Sequence, residues 1–110
     1  MIELHNTNYQ EILNNHFNDK KTVMVFITVP KCDNCNIMRN NIIEFLNNQE
    51  SNDYAFYYVD YTKSSLFQNY SGLYPLLEYP KTIVFYGSWA DLEFLEGVIS
   101  IETLKRIFST

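Results

Sequence analysis

This sequence is short of the residues that would mark a stapled, membrane-spanning or nucleic-acid-binding chain. It has two cysteines, three prolines and three glycines in 110 residues. A disulfide scaffold of this size would need four or more cysteines. No apolar run approaches the roughly 20 residues needed to span a bilayer, so no membrane association is expected. Eight Lys and Arg stand against thirteen Asp and Glu, a formal charge of −5. The basic face that phosphate binding requires is therefore missing, and nucleic acid is not an expected partner. The opening Met1-Ile2-Glu3-Leu4-His5-Asn6 has neither the basic nor the apolar segment of a secretory signal, so a cytoplasmic location is expected. There is no internal repeat and no low-complexity linker.

What is present suits one packed domain over residues 1–110, expected as a monomer. Hydrophobic residues make up 46% of the chain and include nine Tyr and eight Phe, enough apolar surface for a core without covalent staples. Ile2 to Leu4 reads as a short first strand. Thr7-Asn8-Tyr9-Gln10 has the spacing of a capping box, and Tyr9, Ile12, Leu13, His16 and Phe17 then share one helical face. The run Thr22 to Thr28 is apolar without alternation, as in a central strand covered on both sides. Pro30 ends it. A second helix is expected from Asn34 to Asn48, with Ile37, Met38, Ile42, Phe45 and Leu46 as its stripe, followed by a polar loop to Asp53.

Ala55 to Asp60 reads as a third strand, Ser64 to Tyr70 as a short helix, and Ser71 to Tyr79 as an irregular connection. Lys81 to Tyr86 and Leu92 to Glu96 flank a turn at Gly87-Ser88 and form a hairpin. Ser100 is the expected cap of a last helix whose stripe is Ile101, Leu104, Ile107 and Phe108. Parallel strand–helix units joined to a terminal hairpin imply an α/β sandwich, with helices on both faces of a mixed sheet. Trp89 reads as a packing residue near the hairpin turn. His5 and His16 read as surface or helix-face residues, and Asp60 as a strand-end carboxylate near one end of the sheet.

The chemistry is concentrated in Cys32-Asp33-Asn34-Cys35, between the buried strand and the second helix. Two cysteines three apart at a helix start can reach the Cα separation of about 5.5 Å that a disulfide needs. Cys32 at the cap would lie beside unpaired amide N–H groups and the positive end of the helix dipole. That setting favours thiolate and lowers the thiol pKa from about 8.5. Lys31 adds to this effect and Asp33 opposes it. Cys35, one turn inside, would be more buried. The expected roles are Cys32 as nucleophile and Cys35 as resolving thiol. Tetrahedral zinc would need two more ligands, and only His5 and His16 are available, without paired spacing. No metal, flavin or nicotinamide site is expected.

These landmarks resemble the thioredoxin superfamily: the strand Thr22 to Thr28, Cys32 and Cys35, Val59-Asp60, Tyr79-Pro80 before Thr82 to Phe85, and Gly97 to Ser100. The segment before Cys32 is long enough for the extra strand and helix that typical glutaredoxins lack. The resemblance implies a five-stranded mixed sheet in the order first, third, second, fourth, fifth, with the fourth strand antiparallel. It implies a cis-proline at Pro80, rather than Pro75, facing the cysteines. The backbone of Tyr79 and the side-chain-free Gly97 would line the groove where a substrate strand docks, with Lys31 at its edge.

The chain also departs from the family's pattern. Lys31 and Asp33-Asn34 replace the residues of Trp-Cys-Gly-Pro-Cys. Phe26 stands where the family has a buried acid, Phe56 near where a lysine accompanies it, and Asn40 where a proline follows the second cysteine. Glutaredoxin's Cys-Pro-Tyr-Cys is not matched either. The expected function is reduction of protein disulfides by exchange at Cys32 and Cys35, with an external reductase or thiol donor to reset the pair. Two alternatives are a thioredoxin-fold binding module or subunit without catalysis, and a glutaredoxin-like, glutathione-dependent enzyme.

Overall fold

The strand at Thr22–Thr28 has almost no solvent-facing side: its last six residues are buried. A strand of this kind needs a partner along each edge and a helical layer on each face. A computed structural model of the chain supplies both, and describes residues 2–5, 7–47, 54–62 and 80–108. The elements are β1 (Ile2–Glu3), α1 (Tyr9–Asn18), β2 (Thr22–Thr28), α2 (Asp33–Asn47), β3 (Tyr54–Asp60), β4 (Lys81–Tyr86), β5 (Leu92–Glu96) and α3 (Ile101–Ile107). The expected helix at Ser64–Tyr70 and the connection containing Pro75 and Tyr79 lie outside the described residues.

The five strands lie in the order β1-β3-β2-β4-β5. β1 and β2 run parallel to β3, and β4 is antiparallel to both β2 and β5. This is the mixed α/β sandwich that the sequence pattern implies. Alternate residues of the buried strands feed two separate cores, because successive side chains point to opposite faces. On one face Val23, Val25, Ile27, Ile83 and Phe85 pack with Leu13 of α1. On the other, Met24, Phe26 and Val84 meet Met38, Ile42 and Phe45 of α2 and Leu104 of α3.

The first helix departs from its expected start. It begins at Tyr9 with Asn8 as the cap residue, and no side-chain bond closes that end. The Asn8 side chain instead accepts a hydrogen bond from the His5 backbone N–H at 2.9 Å. The capping box read at Thr7 is thus replaced by a turn that points backwards along the chain. At α3 the expected cap is present: the Ser100 hydroxyl accepts from Thr103 N–H at 3.2 Å. Glu102 lies in the first turn, and Lys105 and Arg106 in the last, matching the helix dipole.

Aromatic residues close both cores. Trp89 packs edge-on against Tyr9, Phe17 and Phe85, and its indole N–H donates to the Asn14 side chain at 2.6 Å. This is the packing role expected of it. Opposite, Phe45, Phe56 and Phe108 stand with centroids 5.1–5.8 Å apart, joining α2, β3 and the end of α3. Phe45 is only 1% exposed, and a Phe-to-Ala cavity in such a core costs about 3–5 kcal/mol. Phe45→Ala is expected to lose about that much stability in urea unfolding; a loss below about 1 kcal/mol would mean that α2 is not anchored by this triad.

His16, on the core-facing side of α1, shares a 2.5 Å hydrogen bond with the hydroxyl of buried Tyr57. Burial, then the charge of Lys21, holds the imidazole pKa below its ordinary 6.5, against a smaller opposing effect from Asp19. The unfolded chain therefore takes up this proton more readily than the folded one. The contribution of His16 is complete above pH 6.5 and is lost as pH falls through the lower, folded-state value. Wild-type stability is expected to fall more steeply than that of His16→Gln as pH drops from 7.5 towards 5.5. Parallel urea midpoints for the two proteins across that window would show that His16 titrates freely.

Candidate active site

β2 ends at Thr28, and Val29 and Pro30 carry the chain out of the sheet. Lys31 then turns it with φ +59°, a left-handed conformation costing a non-glycine residue about 1–2 kcal/mol. This bend brings Cys32 to the residue before α2, where its sulfur becomes the helix cap. The Cys35 N–H donates to Sγ of Cys32 at 3.0 Å, and the Asn36 N–H donates to the Cys32 carbonyl at 3.2 Å. One amide of the first turn, that of Cys35, thus points at the Cys32 sulfur, an arrangement that favours negative charge there.

The two cysteines form a disulfide with a Cα separation of 5.2 Å, close to the distance expected from their spacing. Their environments differ: Cys32 is partly accessible, whereas Cys35 is 3% exposed. Only Cys32 opens onto a hollow of about 350 Å³. Helix α2 lines one side of the hollow with Asn36 and Arg39, and the sheet lines the other with Thr28, Tyr58 and Asp60. Lys31 and Glu3 also reach it.

Four of the residues singled out in the sequence can be placed against this frame. Lys31 lines the hollow and is exposed. Pro80 is buried, and its carbonyl accepts from the Gly97 N–H at 2.8 Å. The fold thus joins Pro80 to Gly97, although neither lines the hollow. Gly97 has φ +74° and open space where a Cβ would stand, so its backbone angle is what favours glycine. Tyr79 lies outside the described residues. Asp60, read as a strand-end carboxylate, does lie at the redox end of the sheet, where Oδ1 accepts from both the backbone N–H and the hydroxyl of Thr62.

Helix α2 also fixes the segment after Gly97. The Asn41 side chain donates to the Ile99 carbonyl at 3.0 Å, and the Ile99 N–H approaches Sδ of Met38 at 3.3 Å. One helix therefore carries the cysteines and ties down the connection from β5 to α3.

Three features were not foreseen. Arg39 lies over the Tyr58 ring at 5.2 Å. The spacing 32, 36, 39 on one helix face could have revealed it beside the cysteine. Buried Lys81 pairs with Glu96 at 2.8 Å, a cross-strand neighbour in the hairpin register. The buried hydroxyl of Thr82 has no hydrogen-bond partner among the described residues, and Thr82 stands opposite Phe26.

No family model matches the sequence, and no curated protein matches it. Solved structures do match the fold. Chloroplastic thioredoxin z superposes with a TM-score of 0.75 at 9% identity, covering 97% of this chain and 89% of that one. A reduced thioredoxin pre-protein of Schistosoma mansoni gives 0.72 at 19% identity, over 98% and 94%. The germline-specific thioredoxin Deadhead of Drosophila melanogaster gives 0.73 at 15%, over 99% and 96%. The chain has a thioredoxin-like fold carrying a Cys-x-x-Cys disulfide. Together these features support thiol–disulfide redox chemistry in general.

Phe26 is fully buried in the α2-side core with Met38, one turn beyond Cys35. Neither Phe26 nor Met38 can accept a proton from a thiol, so neither serves as a general base. Phe26→Asp would place a carboxylate opposite the unpartnered Thr82 hydroxyl. Its burial would raise the carboxyl pKa above about 4. The pH–rate profile of the step in which Cys35 attacks a mixed disulfide is expected to gain an inflection in this variant. Superimposable profiles for the two proteins would show that no acid–base function is missing at this position.

Proposed function

We propose that the protein is a cytoplasmic thiol–disulfide oxidoreductase that reduces protein disulfides. In the reduced form, the Cys32 thiolate attacks one sulfur of a substrate disulfide. The substrate S–S bond breaks, one substrate thiolate leaves and takes a proton, and a mixed disulfide remains on Cys32. Cys35 then loses its proton and attacks Sγ of Cys32, releasing the second substrate thiolate. Two electrons pass to the substrate, and the protein is left with the Cys32–Cys35 disulfide. An external thiol donor must reduce that bond before another turnover.

The observation that carries this reading is the asymmetry of the pair. Cys32 is partly accessible, faces a hollow and caps a helix with its sulfur, whereas Cys35 is 3% exposed beneath it. An inert buried pair would need neither the difference in access nor the Cys35 amide aimed at the Cys32 sulfur. The Pro80–Gly97 contact supports a docking groove for an extended substrate, and the presence of only two cysteines suits a reducing compartment.

The test is insulin reduction with dithiothreitol, followed by turbidity. The wild-type protein is expected to accelerate precipitation, and Cys32→Ser to return it to the background rate. Cys35→Ser, which lacks the resolving thiol, is expected to accumulate mixed disulfides through Cys32. Absence of both acceleration and trapping would overturn the catalytic reading in favour of a binding module.

A further inference from the structure

Thr82 is 0% exposed, and its hydroxyl finds no hydrogen-bond partner among the described residues. Its cross-strand neighbours are Phe26 on β2 and Leu95 on β5, whose side chains carry no polar atom. A hydroxyl buried in this way costs stability, because the bonds it made to water are not replaced. Valine at the same place would keep the shape and avoid that cost.

The hydroxyl lies at the redox end of the layer between the sheet and α2. Along β4, Ile83 and Phe85 enter the α1-side core and Val84 the α2-side core, so Thr82 also faces α2. It is the first α2-facing residue of β4 and stands opposite Phe26, near the end of β2. Cys35 is the first member of the buried stripe of α2, which continues through Met38 and Ile42 to Phe45. That helix runs back over the sheet: Met38 shares the core of Phe26 and Val84, and Phe45 reaches Phe56 near the start of β3. The buried sulfur and the buried hydroxyl therefore occupy the same end of one layer.

The bonding power of that sulfur changes with its oxidation state. In the disulfide it is an uncharged, weak acceptor. Released as a thiolate, it accepts a charge-assisted bond roughly twice as strong as a neutral one. We propose that the Thr82 hydroxyl is a redox-linked donor, unbonded while the disulfide is closed and donating to Sγ of Cys35 once the disulfide opens. The hydroxyl thereby favours the reduced pair. This inference rests on the thiol–disulfide reading above and adds a residue that sets the balance between its two states.

In reduction by a dithiol, one donor thiolate attacks Sγ of Cys32 and the Cys32–Cys35 bond breaks. Cys35 leaves as a thiolate, which receives the Thr82 hydrogen bond and then takes a proton. The donor's second thiolate attacks the donor sulfur held on Cys32, forming the donor's cyclic disulfide and freeing Cys32. Two electrons pass to the protein, and the two protons lost by the donor thiols end on the two cysteines.

The test is the equilibrium of the full-length protein with a series of reduced-to-oxidised dithiothreitol ratios, read by alkylating free thiols. In Thr82→Val the ratio of reduced to oxidised protein is expected to fall roughly tenfold at a fixed dithiothreitol ratio, in keeping with one lost bond to sulfur. Thr82→Ser keeps the hydroxyl and is expected to stay within about threefold of wild type. Urea unfolding of each form gives a second readout. Thr82→Val is expected to raise the midpoint of the oxidised protein, where an orphan hydroxyl is removed, and to lower that of the reduced protein, where a bond is lost.

A purely structural hydroxyl would move both midpoints together and leave the dithiothreitol equilibrium unchanged, which overturns the proposal. A lower midpoint for oxidised Thr82→Val also overturns it, because the hydroxyl would then have a partner, such as a bridging water, while the disulfide is closed. If dithiothreitol reduces the folded wild-type protein at no ratio, the thiol–disulfide reading itself fails.

Discussion

The burial of β2 on both faces and along both edges is the constraint on which the rest of the structure depends. Its backbone is paired to β3 on one side and β4 on the other, while its side chains divide between two cores. A strand held in this way cannot slip by one residue without turning every side chain to the wrong face. Its end at Thr28 is therefore fixed, and so is the point from which the chain must turn into α2. The left-handed Lys31 and the capping sulfur of Cys32 follow within four residues of that fixed end. Rigidity in the sheet becomes placement of the thiol.

The same helix that receives the thiol supplies most of what surrounds it. Met38, Ile42 and Phe45 face the sheet core, Asn41 and Met38 hold Ile99, and Asn36 and Arg39 face the hollow. These are different stripes of one helix, so redox site, core and groove wall are mechanically coupled. Displacing α2 would disturb all three together. Its anchoring aromatic triad therefore lies far from the sulfur in sequence but close to it in consequence.

Sequence periodicity was enough to locate the strands and helices wherever the pattern was long or strongly apolar. Thr22–Thr28, Lys81–Tyr86 and Leu92–Glu96 have the bounds read from the residues alone, because non-alternating apolar runs and a glycine turn have few other solutions. The cysteine pair was equally legible, since a three-residue spacing at a helix start sets its own geometry. The Thr7 cap was not, because Asn8 could bond either forward to the helix or backward to His5, and local spacing does not choose between them. The hollow was hidden for a different reason. Thr28 faces Asp60 and Glu3 faces Tyr58 only through strand register, which joins residues more than thirty positions apart.

The departures at Phe26 and Lys31 make sense as two parts of one arrangement. Phe26, Met24 and Met38 fill the α2-side core, with the buried Thr82 hydroxyl opposite Phe26 and no carboxylate among the described buried residues. An apolar wall also disfavours charge on a buried sulfur. The accessible space lies on the Cys32 side, where Lys31 and Arg39 line the hollow. A tryptophan in place of Lys31 would present an apolar plane at that entrance, whereas the lysine presents a cation. The chain thus combines a largely apolar interior on the α2 side of the sheet with a polar mouth beside Cys32.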